Sequence, residues 1–156
     1  MGDVGVRPIG VVRAARTEAE DDDWGQVVSR IELATSVVEP EALLGLDAFS
    51  HIEVLFLFHR VAEEEVCTGA RHPRGRADWP LTGILAQRAK DRPNRIGLTT
   101  CEVVAVDGPG AAVEVRGLDA VDGTPVLDIK PYMAGFAPRR EVREPAWAKE
   151  LMAGYW

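Results

Sequence analysis

Short runs of β-branched residues, separated by turn signals at intervals near ten residues, most limit what this chain can fold into. Val4 to Val12, Gln26 to Leu33, His51 to His59, Gly83 to Ala86, Cys101 to Val106, Ala112 to Arg116 and Thr124 to Ile129 each read as strands. Asp107-Gly108-Pro109-Gly110 is a hairpin signal between two of them, and Asp122-Gly123 marks another reversal. His51 to His59 is so nearly continuous in apolar residues that a central strand buried on both faces is expected. Helical character is confined to one turn after Pro40, closed by Gly45, and to Pro145 to Met152, where Pro145 suits a first helical position. About seven short strands and little helix predict a mainly β chain, a small closed or nearly closed β-barrel with a short C-terminal helix. No strand–glycine-loop–helix entry, GxGxxG or Walker loop is present, which argues against a doubly wound nucleotide fold. Residues 1–138 are expected to form the barrel and 139–156 a helical tail packed on it through Trp147, Leu151, Met152, Tyr155 and Trp156.

Other properties narrow the setting. A length of 156 residues suits one domain. The two cysteines, Cys67 and Cys101, make no disulfide framework and no metal-ligand spacing, so a reduced, cytoplasmic protein is expected. No basic start precedes an apolar stretch, and no apolar run approaches membrane-spanning length, so neither a leader nor a membrane partner is expected. The net charge of −7 argues against non-specific nucleic-acid binding. Between Arg71 and Arg95, however, seven basic residues stand against two acids. Such a stripe suits a phosphate- or carboxylate-bearing ligand, or it is a solvated loop. Glu18 to Asp23, with five acids in six positions, reads as an exposed loop.

Three stretches are denser in chemistry-bearing residues than folding requires. In Phe49 to Arg60, His51 and His59 would face one side of a single strand, and a histidine on an apolar strand is usually a hydrogen-bonded core residue. His59, ending that strand beside Arg60, is the candidate for chemistry. In Gln87 to Leu98, Pro93 restricts Arg92 while Gly97 frees the backbone. A rigid loop carrying Arg88 and Arg92 can hold guanidinium forks ready for a carboxylate, or its arginines can pair with acids. In Gly117 to Lys130, Asp119 and Asp122 are placed to cap their own turn, and Asp128 and Lys130 share one strand face.

Taken together, the blocks Pro8-Ile9-Gly10, Gly45 to His51, Phe56 to His59, Arg88, Arg92-Pro93-Asn94, Ile96-Gly97-Leu98 and Leu118 to Tyr132 resemble the TsaA-like family, also called YaeB or TrmO. The LDAVDGTPVLDIKPY block is its most specific mark, and the resemblance runs from about Val6 to Tyr132. It implies a β-barrel protomer, a homodimer, and S-adenosylmethionine bound close to the dimer interface. It also implies a methyltransferase acting on the N6 nitrogen of threonylcarbamoyladenosine beside a tRNA anticodon. Matched motif by motif, the cofactor contacts would fall on Asp23, Trp24, Gly25, His59, Arg60, Arg88, Leu98, Leu118, Asp119, Ala120 and Val121. His59 would be the catalytic candidate, with Arg92, Asn94 and Lys130 toward the substrate. The chain departs from the family at Gln87 and Arg95, where Thr and Pro are usual, and in its acidic Glu18 to Asp23 stretch. It is also expected to lack the extra C-terminal domain of larger members. The methyl acceptor is therefore left open between a tRNA and a small metabolite, beside a third reading as a non-catalytic S-adenosylmethionine-binding protein.

Overall fold

A computed structural model describes residues 2–156. Six antiparallel strands close into a barrel in the order β1-β2-β7-β6-β3-β8: β1 is Gly10–Ala14, β2 Val28–Leu33, β3 His51–Leu57, β6 Ile96–Asp107, β7 Ala112–Arg116 and β8 Pro125–Pro131. Two short strands, β4 (Ala70–Arg71) and β5 (Thr82–Gly83), make a separate ribbon, and α1 (Ala146–Met152) is the one α-helix among the described residues. The expected mainly β barrel with a short C-terminal helix is observed, with six strands in its wall and two outside it.

Alternation builds the core. Val12 of β1, Ile31 of β2, Ile52, Val54 and Phe56 of β3, Val113 and Val115 of β7 and Val126 of β8 all point inward and are buried. β1 and β2 approach so closely that a side chain at Gly10 would meet the carbonyl of Glu32. β6 and β7 form the hairpin expected at Asp107 to Gly110, where the Asp107 carboxylate accepts the Gly110 N–H at 2.9 Å.

Several boundaries differ from the sequence reading, each for a local reason. Residues 4–9 are not a strand, because the partners of β1 start opposite Gly10, at Leu33 and Val126. β3 ends at Leu57 and is buried on one face only; His51, Glu53, Leu55 and Leu57 point outward, and His59 lies beyond it. Gly83 to Ala86 splits into the end of β5 and a 3-10 turn over Ile84–Ala86. β6 is longer than the run Cys101 to Val106, because β3 templates its first half and β7 its second.

The outer surface divides in two. Across β1, β2, β7 and β6 it carries a ladder of ion pairs, Arg13–Glu32 at 2.9 Å, Arg30–Asp107 at 2.6 Å and Arg116–Glu102 at 2.7 Å. At the end of β3 and the start of β6 it is apolar, with Leu55 opposite Leu98 and Leu57 opposite Ile96; Leu98 and Ile96 are 42% and 38% exposed. Among the described residues no helix is long and apolar enough to cross a membrane.

Candidate functional site around Asp119

The site begins where β7 ends. Gly117, at a φ of 79° that favours glycine, turns the chain, after which Leu118 and Ala120 enter the barrel core and leave Asp119 facing outward between them. The Asp119 carboxylate accepts the hydroxyl of Thr99 on β6 and the phenol of Tyr155 from the segment after α1. It does not cap its own turn. Nor does Asp122, whose carboxylate takes the N–H of Ala14 at 3.1 Å, across the barrel closure.

Beside Asp119 runs β6. The carbonyl of Leu98, one residue before Thr99, accepts a hydrogen bond from the Arg88 guanidinium. Arg88 is thus held against the strand edge while its side chain stays exposed. On the other side lies the loop after β1. The Arg16 guanidinium stacks 3.8 Å from the centre of the Trp24 ring and donates to the carbonyls of Asp22 and Asp23 at 2.8 and 3.1 Å. This pins Asp23, at a φ of 63°, and buries Trp24. Asp23 and Trp24 donate their N–H groups to the carbonyls of Gly154 and Tyr155 at 3.0 and 2.8 Å, and Gly25 lies against the backbone of Trp156. The structure therefore brings Asp23, Trp24, Gly25, Arg88, Leu98 and Asp119 together around residues 154–156.

His59 and Arg60 approach the same loop from β3. Arg60 donates to the carbonyl of Thr17, next to Arg16, and the His59 N–H bonds to the Leu57 carbonyl at 2.7 Å. Partial burial, then the neighbouring Arg60 charge, holds the His59 imidazole below its ordinary value.

Leu118, Ala120 and Val121 keep their side chains buried, so what they can offer a ligand is backbone. Among the described residues no hydrogen bond uses the N–H groups of 118–121 or the carbonyls of 118–120, whereas the Val121 carbonyl accepts from both the N–H and hydroxyl of Thr124. Buried backbone groups are normally paired, so this stretch is an unused polar edge.

The arginine loop is tied by internal hydrogen bonds and turned inward. Arg92 donates to the Gln87 carbonyl at 2.8 Å and Arg95 to the Val61 carbonyl at 2.6 Å, while Asn94 and Arg95 sit at positive φ. The buried Gln87 amide bridges the carbonyls of Arg71 and Thr82 at 3.0 and 2.8 Å. Much of the basic stripe is compensated: Arg71 pairs with Asp91, Arg74 with Asp22 of the acidic loop, and Arg76 with Asp78. Lys130 pairs with Asp128 at 3.2 Å and has no hydrogen bond to the Asp119 group.

Burial, with Asp119 nearby, pushes the Cys101 thiol up to about 12. Burial, then the Asp119 charge and hydrogen bond, raises the Tyr155 phenol. Sequence reasoning missed Thr99, Tyr155 and Arg16. Only the aromatic character of Tyr155 was visible, as part of an apolar helix face, and nothing local signals that its hydroxyl reaches a carboxylate 36 residues away.

Comparison with known proteins agrees with the motif resemblance. Residues 20–137 match the family model described as the tRNA-methyltransferase O N-terminal domain. The chain is 39% identical over 104 residues to the human tRNA (adenine(37)-N6)-methyltransferase, covering 67% of this chain and 23% of the relative. It is 40% identical over 134 residues to a probable S-adenosyl-L-methionine-binding protein of Methanothermobacter thermautotrophicus, covering 83% of this chain and 90% of that one. The crystal structure of TrmO from Pseudomonas aeruginosa superposes with a TM-score of 0.71 at 29% identity, over 91% of this chain and 62% of that chain. The chain thus spans less than a quarter of the human enzyme's length and under two thirds of the solved bacterial one. With its most specific motif lying inside the matched region, on a barrel shared with a solved member, the chain belongs to the tRNA-methyltransferase O N-terminal domain family.

Proposed function

We propose that this protein is an S-adenosylmethionine-dependent methyltransferase whose acceptor is the N6 nitrogen of threonylcarbamoyladenosine next to the tRNA anticodon. The observation that carries the reading is the grouping of one outward carboxylate, Asp119, with the Arg88 guanidinium and the unused backbone edge of residues 118–121. Those groups fit the cofactor's polar ends. Arg88 has donors free for a carboxylate, Asp119 is the anion for an ammonium, and the edge of Leu118, Asp119, Ala120 and Val121 can read an adenine rim. Leu98 and Asp23-Trp24-Gly25 line the sides, with His59 and Arg60 at the loop beyond. When bound, S-adenosylmethionine supplies a methyl group on a cationic sulfur.

The chain's part is alignment and desolvation, since an in-line displacement needs no covalent enzyme intermediate. His59, its imidazole held below the ordinary value by burial and then by the Arg60 charge, is the proposed base. Arg92, Asn94 and Lys130 are assigned to the acceptor. The protein acts in this reading as a cytoplasmic homodimer, and the apolar face of Leu55, Leu57, Ile96 and Leu98 supports the pairing surface.

A second reading, methylation of a small metabolite, draws on the compensation of Arg71, Arg74 and Arg76, which removes much of the free positive charge a tRNA backbone would meet. Transfer of labelled methyl groups to bulk tRNA from cells lacking the gene decides between them. New N6-methylated threonylcarbamoyladenosine is the expected product, and an unchanged nucleoside profile with the purified protein and cofactor would overturn the tRNA reading.

A further inference from the structure

We propose that residues 153–156 are a displaceable strap that closes the cofactor site in the free protein and competes with S-adenosylmethionine for it. This rests on the cofactor reading above.

The competition follows from donors and acceptors that can serve one partner at a time. Each amide carries one proton, and those of Asp23 and Trp24 are already given to the carbonyls of Gly154 and Tyr155. Asp119 is covered by the Tyr155 phenol. Against Gly25 even a methyl group would lie 2.7 Å from the carbonyl carbon of Trp156, so nothing the thickness of an adenine ring fits between them. Two of the regions assigned to the cofactor, Asp23-Trp24-Gly25 and Asp119, therefore lie under one stretch of chain.

That stretch is built to leave without unravelling the fold. Residues 138–145, which lead to α1, are all exposed and have no regular structure. α1 keeps its own anchors: the indole N–H of the buried Trp79 donates to Glu150 at 2.8 Å, and the Trp79 and Trp147 rings lie 6.3 Å apart. The strap beyond it is joined to α1 by the Ala153 and Tyr155 N–H groups and is held to the barrel by the two backbone bonds, the phenol and the apposition of Trp156. The exchange is chemically matched. A neutral phenol donates to Asp119 in the closed state, and an ammonium can donate to the same oxygen with a full positive charge, which makes the stronger hydrogen bond. The buried phenol keeps its proton, so the closed state adds no second anion beside Asp119.

A reversible lock tests this. A Cβ at Gly154 would lie 4.0 Å from the Asp22 carboxyl carbon, within reach of a cysteine pair, so Asp22→Cys/Gly154→Cys can tie the strap down through a disulfide. S-adenosylmethionine affinity is measured by calorimetry on the wild type and on the reduced and oxidised variant. The expected result is wild-type-like binding when reduced and at least a tenfold loss when oxidised with glutathione disulfide. Equal binding in both states overturns the strap and leaves the cofactor reading standing. No binding by the wild type overturns the reading, and the strap with it. Amide exchange on the wild type supplies a second readout: added S-adenosylmethionine should speed exchange at the strap's own Tyr155 amide, while Asp23 and Trp24 pass from one partner to the other, and protection at Tyr155 overturns the proposal. Tyr155→Phe, which removes one latch, should bind about fivefold more tightly, and weaker binding would make the segment a wall of the site instead.

Discussion

The ring of Phe56 on β3 lies across the backbone of Gly97, its partner on β6, so closely that a Cβ at position 97 would fall 2.5 Å from Phe56 Cε2. Phe56 is also met edge-on by Phe58 at 5.2 Å between ring centres. The glycine of the Ile96-Gly97-Leu98 motif is thus required for space rather than for an unusual backbone angle. Gly97→Ala is expected to cost about 1–3 kcal/mol through overpacking. Urea denaturation measures it, and pairing it with Phe56→Leu should recover part of the loss. Full additivity of the two changes would contradict this contact.

Arg88 tests the cofactor assignment from the side opposite the strap. Its guanidinium rests on the Leu98 carbonyl with the rest of the fork free, so Arg88→Ala should weaken S-adenosylmethionine binding about tenfold while barely changing stability. Lys130→Ala, on the outer face of β8, should leave that affinity unchanged. An undiminished affinity in Arg88→Ala would remove this arginine from the site.

Alkaline pH should loosen the region around Asp119. Burial raises both the Cys101 thiol, to about 12, and the Tyr155 phenol above their unfolded values. Groups with raised folded values stabilise fully below the unfolded pKa, and that contribution is lost as pH rises toward the folded one. Urea stability is therefore expected to fall from about pH 9 upward, with a shallower slope in Cys101→Ala. In the native state at pH 8, a thiol reagent should modify Cys67, which is partly exposed, well before Cys101, which is 2% exposed.

The anchor of α1 can be read separately. Glu150→Ala leaves the indole N–H of a buried Trp79 without its acceptor, at a cost of about 1–2 kcal/mol. Tryptophan fluorescence or near-UV dichroism should report the change. Glu144→Ala, at an exposed position before the helix, should be silent in the same assay.

Local pattern carried the architecture further than it carried the site. The hairpin at Asp107 to Gly110 and the strand Ala112–Arg116 were legible because turn chemistry and β-branched alternation act within a few residues. β3 was misjudged as buried on both faces because Leu55 and Leu57 are apolar, yet they lie on the outer sheet face with Leu98 and Ile96. Of the ribbon only the Gly83 end of β5 was legible, because it pairs only Ala70 with Gly83 and Arg71 with Thr82, amid Gly and Pro. The basic stripe was visible as composition, but its partial neutralisation by Asp22 depends on a contact between residues 52 apart. The meeting of Thr99, Asp119 and Tyr155 has the same character, since two hydroxyls from distant segments reach the two oxygens of one carboxylate.

The narrowest part of the barrel wall is its closure, where β1 meets β8 at only two registered pairs, Gly10 with Val126 and Val11 with Pro125, helped by the bond from Ala14 to Asp122 across 108 residues. Nothing nearer in the chain can take the place of that seam. A growing polypeptide keeps a hydrophobic trough open until the segment following the DGTP turn has been made, because the pairing of β1 with β8 spans nearly the longest loop the barrel contains. Refolding on the scale of about milliseconds to seconds is the rate such non-local closure imposes, and until it is complete the exposed edges of β1 and β8 are the places where two unfinished chains would join each other.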